Sequence, residues 1–318
     1  MKREFDPELD SFDQFIIPFG KDSLSIQFAH LSLTFQTIDL KLKELINEMY
    51  KPFIPMDLTS VKGTHVFRPE PQRAGRKQAG AKISVVKAEA EAFLELTPGE
   101  VYRIEFSKKG SILFFWSYYF ACRYDPEKKD GVLVICTGKK INLRQVIENF
   151  MRIIFSYIAL YNGSFFLHSS GIVKDKKAHI FFGHSGAGKT TIVAFSKGLP
   201  LLSDDQVLVY LKEDKPYASG VPFSGGERFR QEEDAIKFSN VNEEFEVAGF
   251  YWLVKDKDTF LEPLPLIHAA AKLASAIPFI KDSPFPMQDA LNLATEIAQR
   301  AKIFALHFRK DDSFLQII

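Results

Sequence analysis

The sequence predicts a mixed α/β fold in two parts: a smaller N-terminal α+β domain over residues 1–142 and a mixed-sheet domain over 143–318 built around a glycine-rich loop. Three observations carry this. Gly183-His184-Ser185-Gly186-Ala187-Gly188-Lys189-Thr190-Thr191 fits the pattern G-x-x-x-x-G-K-[ST]. An apolar, strand-like run, His179 to Phe182, leads into it, and a helix-compatible run, Thr190 to Ser196, leads out. Asp204 comes only fifteen residues after Lys189, within Leu201-Leu202-Ser203-Asp204-Asp205. The helix between them therefore has room for about two to three turns, and a second strand ends in paired carboxylates.

From the N-terminus, Ser23–Phe28 and Leu31–Thr37 read as strands. Asp39–Met49 spaces Leu40, Leu42, Leu45, Ile46 and Met49 close to a helical repeat, with Asp39 as cap and Pro52 as stop. Residues 60–82 hold Gly, Pro and the cations Arg68, Arg73, Arg76, Lys77 and Lys82. They read as a solvated loop, with contact to an acidic partner as the other reading. Strands are expected at Ile83–Val86, Val101–Phe106, Ile112–Cys122 and Val132–Cys136, with a turn over Asp125–Gly131. Leu143–Leu160 reads as a helix that brings Val146, Phe150, Ile153 or Ile154, and Tyr157 to one face, between an Asn142 cap and a Gly163 stop. The domain boundary is placed at this helix.

Beyond the carboxylate pair, Val207–Leu211 and Tyr217–Val221 form a hairpin, with the glycine-bearing segment Pro222–Arg230 next and then a charged, irregular stretch over 231–244. Strands Val247–Lys255 and Phe260–Leu264, helices over 266–276 and 287–301, and a last strand Ile303–Phe308 complete the chain.

Composition narrows the function classes. Hydrophobic residues make up 46% of the 318 residues, enough for a sizeable core, and 31 phenylalanines make that core aromatic. A formal charge of +1 supplies no bulk attraction for nucleic acid. The longest strongly apolar stretch, Ile112–Cys122, is too short to cross a bilayer as a helix, and Met1–Asp6 has no signal-type apolar run. Cys122 and Cys136 lie in apolar strand-like runs without metal spacing and read as buried free thiols in a reducing compartment, with a cross-strand disulfide as the other reading. The expectation is a cytoplasmic protein with neither a nucleic-acid nor a membrane partner.

The chemistry concentrates at the loop. Gly183, Gly186 and Gly188 let the backbone curl so that N–H groups of the loop, including His184, Ser185 and Ala187, point at phosphate oxygens. Helix residues Lys189, Thr190 and Thr191 come next, at the positive helix end. Lys189 would reach the β- and γ-phosphates, and Thr190 would offer its hydroxyl to Mg²⁺. Of Asp204 and Asp205, one can hold Mg²⁺ and the other can accept the proton of an attacking hydroxyl. His168, read alone, is a core or strand histidine.

Leu167-His168-Ser169-Ser170-Gly171-Ile172-Val173, the loop Gly183–Thr191 and Leu202–Asp205 together resemble, in order, the catalytic core of HPr kinase/phosphorylase and its relatives. That family is similar in fold to ATP-dependent phosphoenolpyruvate carboxykinase. The ending Ile303–Arg309 through Asp312–Phe314 resembles the smaller HPr-kinase-related proteins. The resemblance implies a phosphoenolpyruvate carboxykinase-like P-loop core, ATP and Mg²⁺ as cofactors, and a serine hydroxyl of a protein or peptide as acceptor. It also implies Asp204 as base with Asp205 and Lys189 assisting, His168 near the reacting phosphoryl group, and a homo-oligomer. The family's downstream acid-Arg-Gly signature is matched only by Gly225-Gly226-Glu227-Arg228-Phe229-Arg230. Glu227 is the candidate for metal and Arg228 for nucleotide, but the residue order and neighbouring glycines differ. HPr itself and the reverse reaction are therefore not implied. A nucleotide-binding regulatory module without transfer activity is the alternative reading.

Overall fold

In the computed structural model the described residues are 12, 23–37, 39–54, 79–88, 92–94, 103–136, 141–223, 243–282 and 284–318. The chain forms two compact units, one of residues 1–158 with 282–284, the other of 159–281 with 285–318. The division falls inside the long helix, after Ile158, whereas the sequence pattern places it before that helix at residue 143.

The first unit carries a seven-stranded sheet. Its strands are β1 (Leu24–Phe28), β2 (Leu31–Gln36), β3 (Ala79–Ala88), β4 (Glu105–Lys109), β5 (Ile112–Ser117), β6 (Phe120–Asp125) and β7 (Asp130–Cys136), in the order β1-β2-β3-β7-β6-β5-β4. The pairs β2–β3 and β3–β7 are parallel and the rest antiparallel. Helix α1 (Leu40–Tyr50) starts as its cap predicts: the Asp39 carboxylate accepts the Leu42 amide at 2.8 Å. Helix α2 (Leu143–Tyr161) presents Phe150 and Phe155, which meet Phe115 and Phe28 with ring centroids 6.0 and 4.7 Å apart. Among the described residues most phenylalanines are core, and each such ring removes a large apolar area from water.

Ile112–Cys122 is not one strand. It breaks at Tyr118-Tyr119 into β5 and β6, which fold back with Phe115 opposite Cys122. The turn contains no Gly, Pro, Asn or Asp, so nothing in the residue types announces it. β3 begins at Ala79, earlier than the predicted Ile83, so Lys82 is a strand residue. Arg68, Arg73, Arg76 and Lys77 lie outside the described residues. Cys122 and Cys136 are buried free thiols. Burial pushes the Cys136 thiol up to about 12 and the Cys122 thiol well above its ordinary value. Among the described residues no helix is long and apolar enough to cross a membrane.

The second unit is built on β8 (Ser164–Lys174), β9 (Lys177–Phe182), β10 (Leu201–Ser203), β11 (Gln206–Lys212), β12 (Lys215–Ser219), β13 (Glu244–Lys255), β14 (Phe260–Pro263) and β15 (Ile303–Phe308). Two long strands each serve two neighbours in succession. β8 pairs with β11 over Ser164–His168 and then with β9 over Ser169–Lys174. β13 pairs first with β12, then with β9, and its last half also with β15. The ladders β8–β11–β12–β13–β9–β8 therefore close into a ring. β9, β13 and β15 are mutually parallel, and β10 runs with them because both β9 and β10 oppose β8. Four carboxyl ends consequently gather along one edge, the edge at which α/β sheets receive ligands. Helices α3 (Lys189–Phe195), α4 (Leu266–Ser275) and α5 (Met287–Arg300) complete the unit. The mixed α/β class is as the sequence predicts.

Candidate functional site

The loop Gly183–Gly188 leaves β9 at this edge and enters α3 at Lys189. Gly186 and Gly188 take φ of 75° and 116°, values that residues with a Cβ rarely adopt. Behind the loop lies a tight apolar support of Phe181, Ile192, Val193, Leu201, Tyr251, Phe308 and Phe314. His184, Ser185, Gly186 and Thr190 are exposed, Ala187, Lys189 and Thr191 half-buried, and Gly183 buried. Lys189 Nζ donates to the Gly183 carbonyl at 3.2 Å, closing the loop upon itself. Burial lowers the Lys189 pKa, and the negative charge of Asp205 partly restores it. That influence links the loop to the tip of β10.

The two strand ends meet across β8. In register, Ser169 faces Phe182, the last residue of β9, while Gly171 faces Ser203, the last residue of β10. Ser203 also shapes the turn after β10. Its Oγ accepts the amides of Asp205 at 3.3 Å and Gln206 at 3.2 Å, a serine turn that fixes the carboxylate pair at the strand end. Asp204 is 8% exposed, and the Asp205 side chain 13%.

His168 joins this group directly. Its Nδ1 stands 3.0 Å from the Asp205 carbonyl and 3.2 Å from the Asp205 Oδ1. A carbonyl oxygen can only accept, so Nδ1 carries the hydrogen, and the neutral ring keeps Nε2 as its acceptor. The backbone repeats the connection, for the Ser169 amide donates to the Asp205 carbonyl at 3.0 Å and the His168 amide to the Ala276 carbonyl at 2.8 Å.

A cleft of 380 Å³ opens beside the first residues of the loop. Gly183, His184 and Ser185 form one wall, His168 and Gln206 another, and Trp252 with the Ser275–Pro278 turn the rest. The His184 ring meets Trp252 edge to face at 4.7 Å, and Lys272 Nζ lies 3.9 Å from the centre of the Trp252 ring.

The structure thus brings together Lys189, Asp205, His168 and the loop, with Asp204 in the same strand-end turn. Glu227 and Arg228 lie outside the described residues. Among the described residues no group of three or more His, Cys, Asp or Glu gathers as a metal site. Mg²⁺ asks for less in a phosphate site, where one or two carboxylates, waters and the phosphates themselves complete the shell. Thr190 and the Asp204–Asp205 pair are the donors of that type here. Sequence reasoning missed Ser203 as a positioning residue, and also Gln206, Trp252, Lys272 and the Ser275–Pro278 turn.

No family model matches the chain, and no curated protein matches it. Among solved structures it is similar to the Hpr(Ser) kinase/phosphatase from Coxiella burnetii, with 19% identity over 31% of this chain and 72% of that one, and a TM-score of 0.24.

Proposed function

We propose that this protein is an ATP- and Mg²⁺-dependent kinase that transfers the γ-phosphoryl group to a hydroxyl, a serine of a protein or peptide, on a P-loop core of phosphoenolpyruvate carboxykinase-like type. The observation that supports it is the meeting of a phosphate loop and two carboxylates at neighbouring strand ends, close enough for Asp205 to act on Lys189. Loop amides and Lys189 would hold the β- and γ-phosphates. Thr190 and Asp205 would hold Mg²⁺, which supplies charge neutralisation on the phosphates. Asp204 would accept the proton of the serine hydroxyl as its oxygen bonds to the γ-phosphorus and the bond to the bridging oxygen of ADP breaks. His168, held by Asp205 at Nδ1, would stand beside the reacting phosphoryl group, with Nε2 turned to accept a hydrogen bond from the incoming hydroxyl. The buried, unpaired thiols accord with a reducing, cytoplasmic setting.

Asp204→Asn tests the assignment. With γ-labelled ATP and candidate peptides, label transfer should fall by about 10²-fold or more while ATP affinity changes little. Retained transfer would move the base to His168, whose Nε2 is the next proton acceptor in the site. Tight ATP binding with no transfer by the unaltered protein to any hydroxyl acceptor would favour a nucleotide-controlled regulatory module instead.

A further inference from the structure

The cleft beside the loop lies on the side of Gly183, His184 and Ser185, whereas Lys189 and Thr190 take no part in its walls. The Lys189 ammonium rests on the Gly183 carbonyl, so the β- and γ-phosphates it would hold lie towards those first residues, and the cleft is where an acceptor would approach. At 380 Å³ it is near the small end of ligand pockets, which begin at about 300 Å³. That suits a short segment rather than a large cofactor.

Its walls are uneven in charge. Among the described lining residues there is no carboxylate, while His168, His184 and Ser185 offer polar groups. Lys272 Nζ lies over the ring of the wall residue Trp252, and near the end of α4 Ser275, another wall residue, donates its hydroxyl to the Lys272 carbonyl. No carboxylate among the described residues pairs with the Lys272 ammonium, which lies over the indole face instead. A cation–π contact holds an ammonium without neutralising it. The flexible lysine stem allows the charge to leave the ring for a better partner. Partial burial lowers its pKa from the ordinary lysine value, consistent with a cation short of compensation. Gln206 supplies a second vacancy: it is 5% exposed, and its Oε1 is buried with no hydrogen-bond partner. Such an oxygen is costly unless a ligand brings it a donor.

We infer that this cleft binds the acceptor as a short acidic peptide segment, with Lys272 pairing to a carboxylate close to the reacting hydroxyl and Gln206 accepting a hydrogen bond from the segment's N–H or O–H. The inference rests on the kinase reading for the identity of the reacting group, but the charge preference is measurable without any reaction. The test compares two labelled hexapeptides, one with serine flanked by aspartates and one with serine flanked by lysines, by fluorescence anisotropy with Mg·ADP present. The protein should bind the acidic peptide at least about tenfold more tightly. Lys272→Met should erase the preference, Lys272→Glu should reverse it, and Lys272→Arg should keep it. Gln206→Leu should weaken the acidic peptide further. Equal binding of both peptides, or a Lys272→Met loss that falls equally on nucleotide affinity, overturns the inference and leaves the kinase reading standing. Charge-selective binding without label transfer supports the cleft and counts against the kinase reading alone.

Discussion

Gly188 marks how closely a single position is held. Its φ of 116° belongs to glycine, and a Cβ there would stand 2.7 Å from Cζ of Phe308. Phe308 ends β15 and is part of the apolar support under α3, so the ring cannot retreat without disturbing Phe314 and Val193. Gly188→Ala should therefore cost about 1–3 kcal/mol of stability, read as a lowered denaturation midpoint. It should also abolish ATP affinity, since the loop amides would no longer converge; full affinity in that variant would show the loop curl to be dispensable. The loop was legible in the sequence because phosphate binding needs particular residue types at particular spacings. Gln206, Trp252 and Lys272 were not legible for the opposite reason. A glutamine after two acids, a tryptophan in a strand and a lysine on a helix are ordinary residues until strand register and helix placement bring them to one cleft.

Elements were legible where periodicity and punctuation agree. The hairpin of β11 and β12 turns at Glu213-Asp214 with φ of 52° and 59°, between the predicted strands Val207–Leu211 and Tyr217–Val221. The break between β5 and β6 was hidden because apolar and aromatic residues run unbroken through it. The pairing of β9 with β13 carries a consequence that no pattern foretold. His179 on β9 is buried, stacks on Tyr251 of β13, and its Nδ1 lies 3.1 Å from the Tyr251 hydroxyl. Burial, with the Lys174 charge adding to it, lowers the His179 pKa from 6.5 to about 4. A histidine held neutral takes up a proton more readily in the unfolded chain, so its contribution is present above pH 6.5 and is lost as the pH falls towards 4. The loss is roughly 3 kcal/mol by linkage. Denaturant titrations between pH 7 and 4 should show this decline in the unaltered protein and a shallower one in His179→Gln, which keeps a partner for Tyr251. Equal slopes would remove His179 as the cause.

At the scale of the whole molecule, nucleotide binding and stability are one measurement. The loop, the strand-end carboxylates and the cleft all belong to the second unit, whose core cluster of Ile172, Phe181, Leu253 and Leu306 lies under α3 and the loop. A ligand that binds only the folded form at a hundredfold excess over its Kd adds about 2.7 kcal/mol. For a unit of this size that raises the melting temperature by roughly 5–10 °C. Mg·ATP should produce such a shift in the unaltered protein, and Lys189→Ala should lose most of it, because on the proposed reading the half-buried ammonium is the charge that would meet the phosphates. The comparison with Mg·ADP and with AMP matters as much as the shift itself. If Lys189 and Thr190 read the β- and γ-phosphates, Mg·ATP should stabilise more than Mg·ADP, and AMP hardly at all. Equal stabilisation by all three would mean that the adenosine end carries the binding and that Asp204 and Asp205 have no triphosphate beside them to act on.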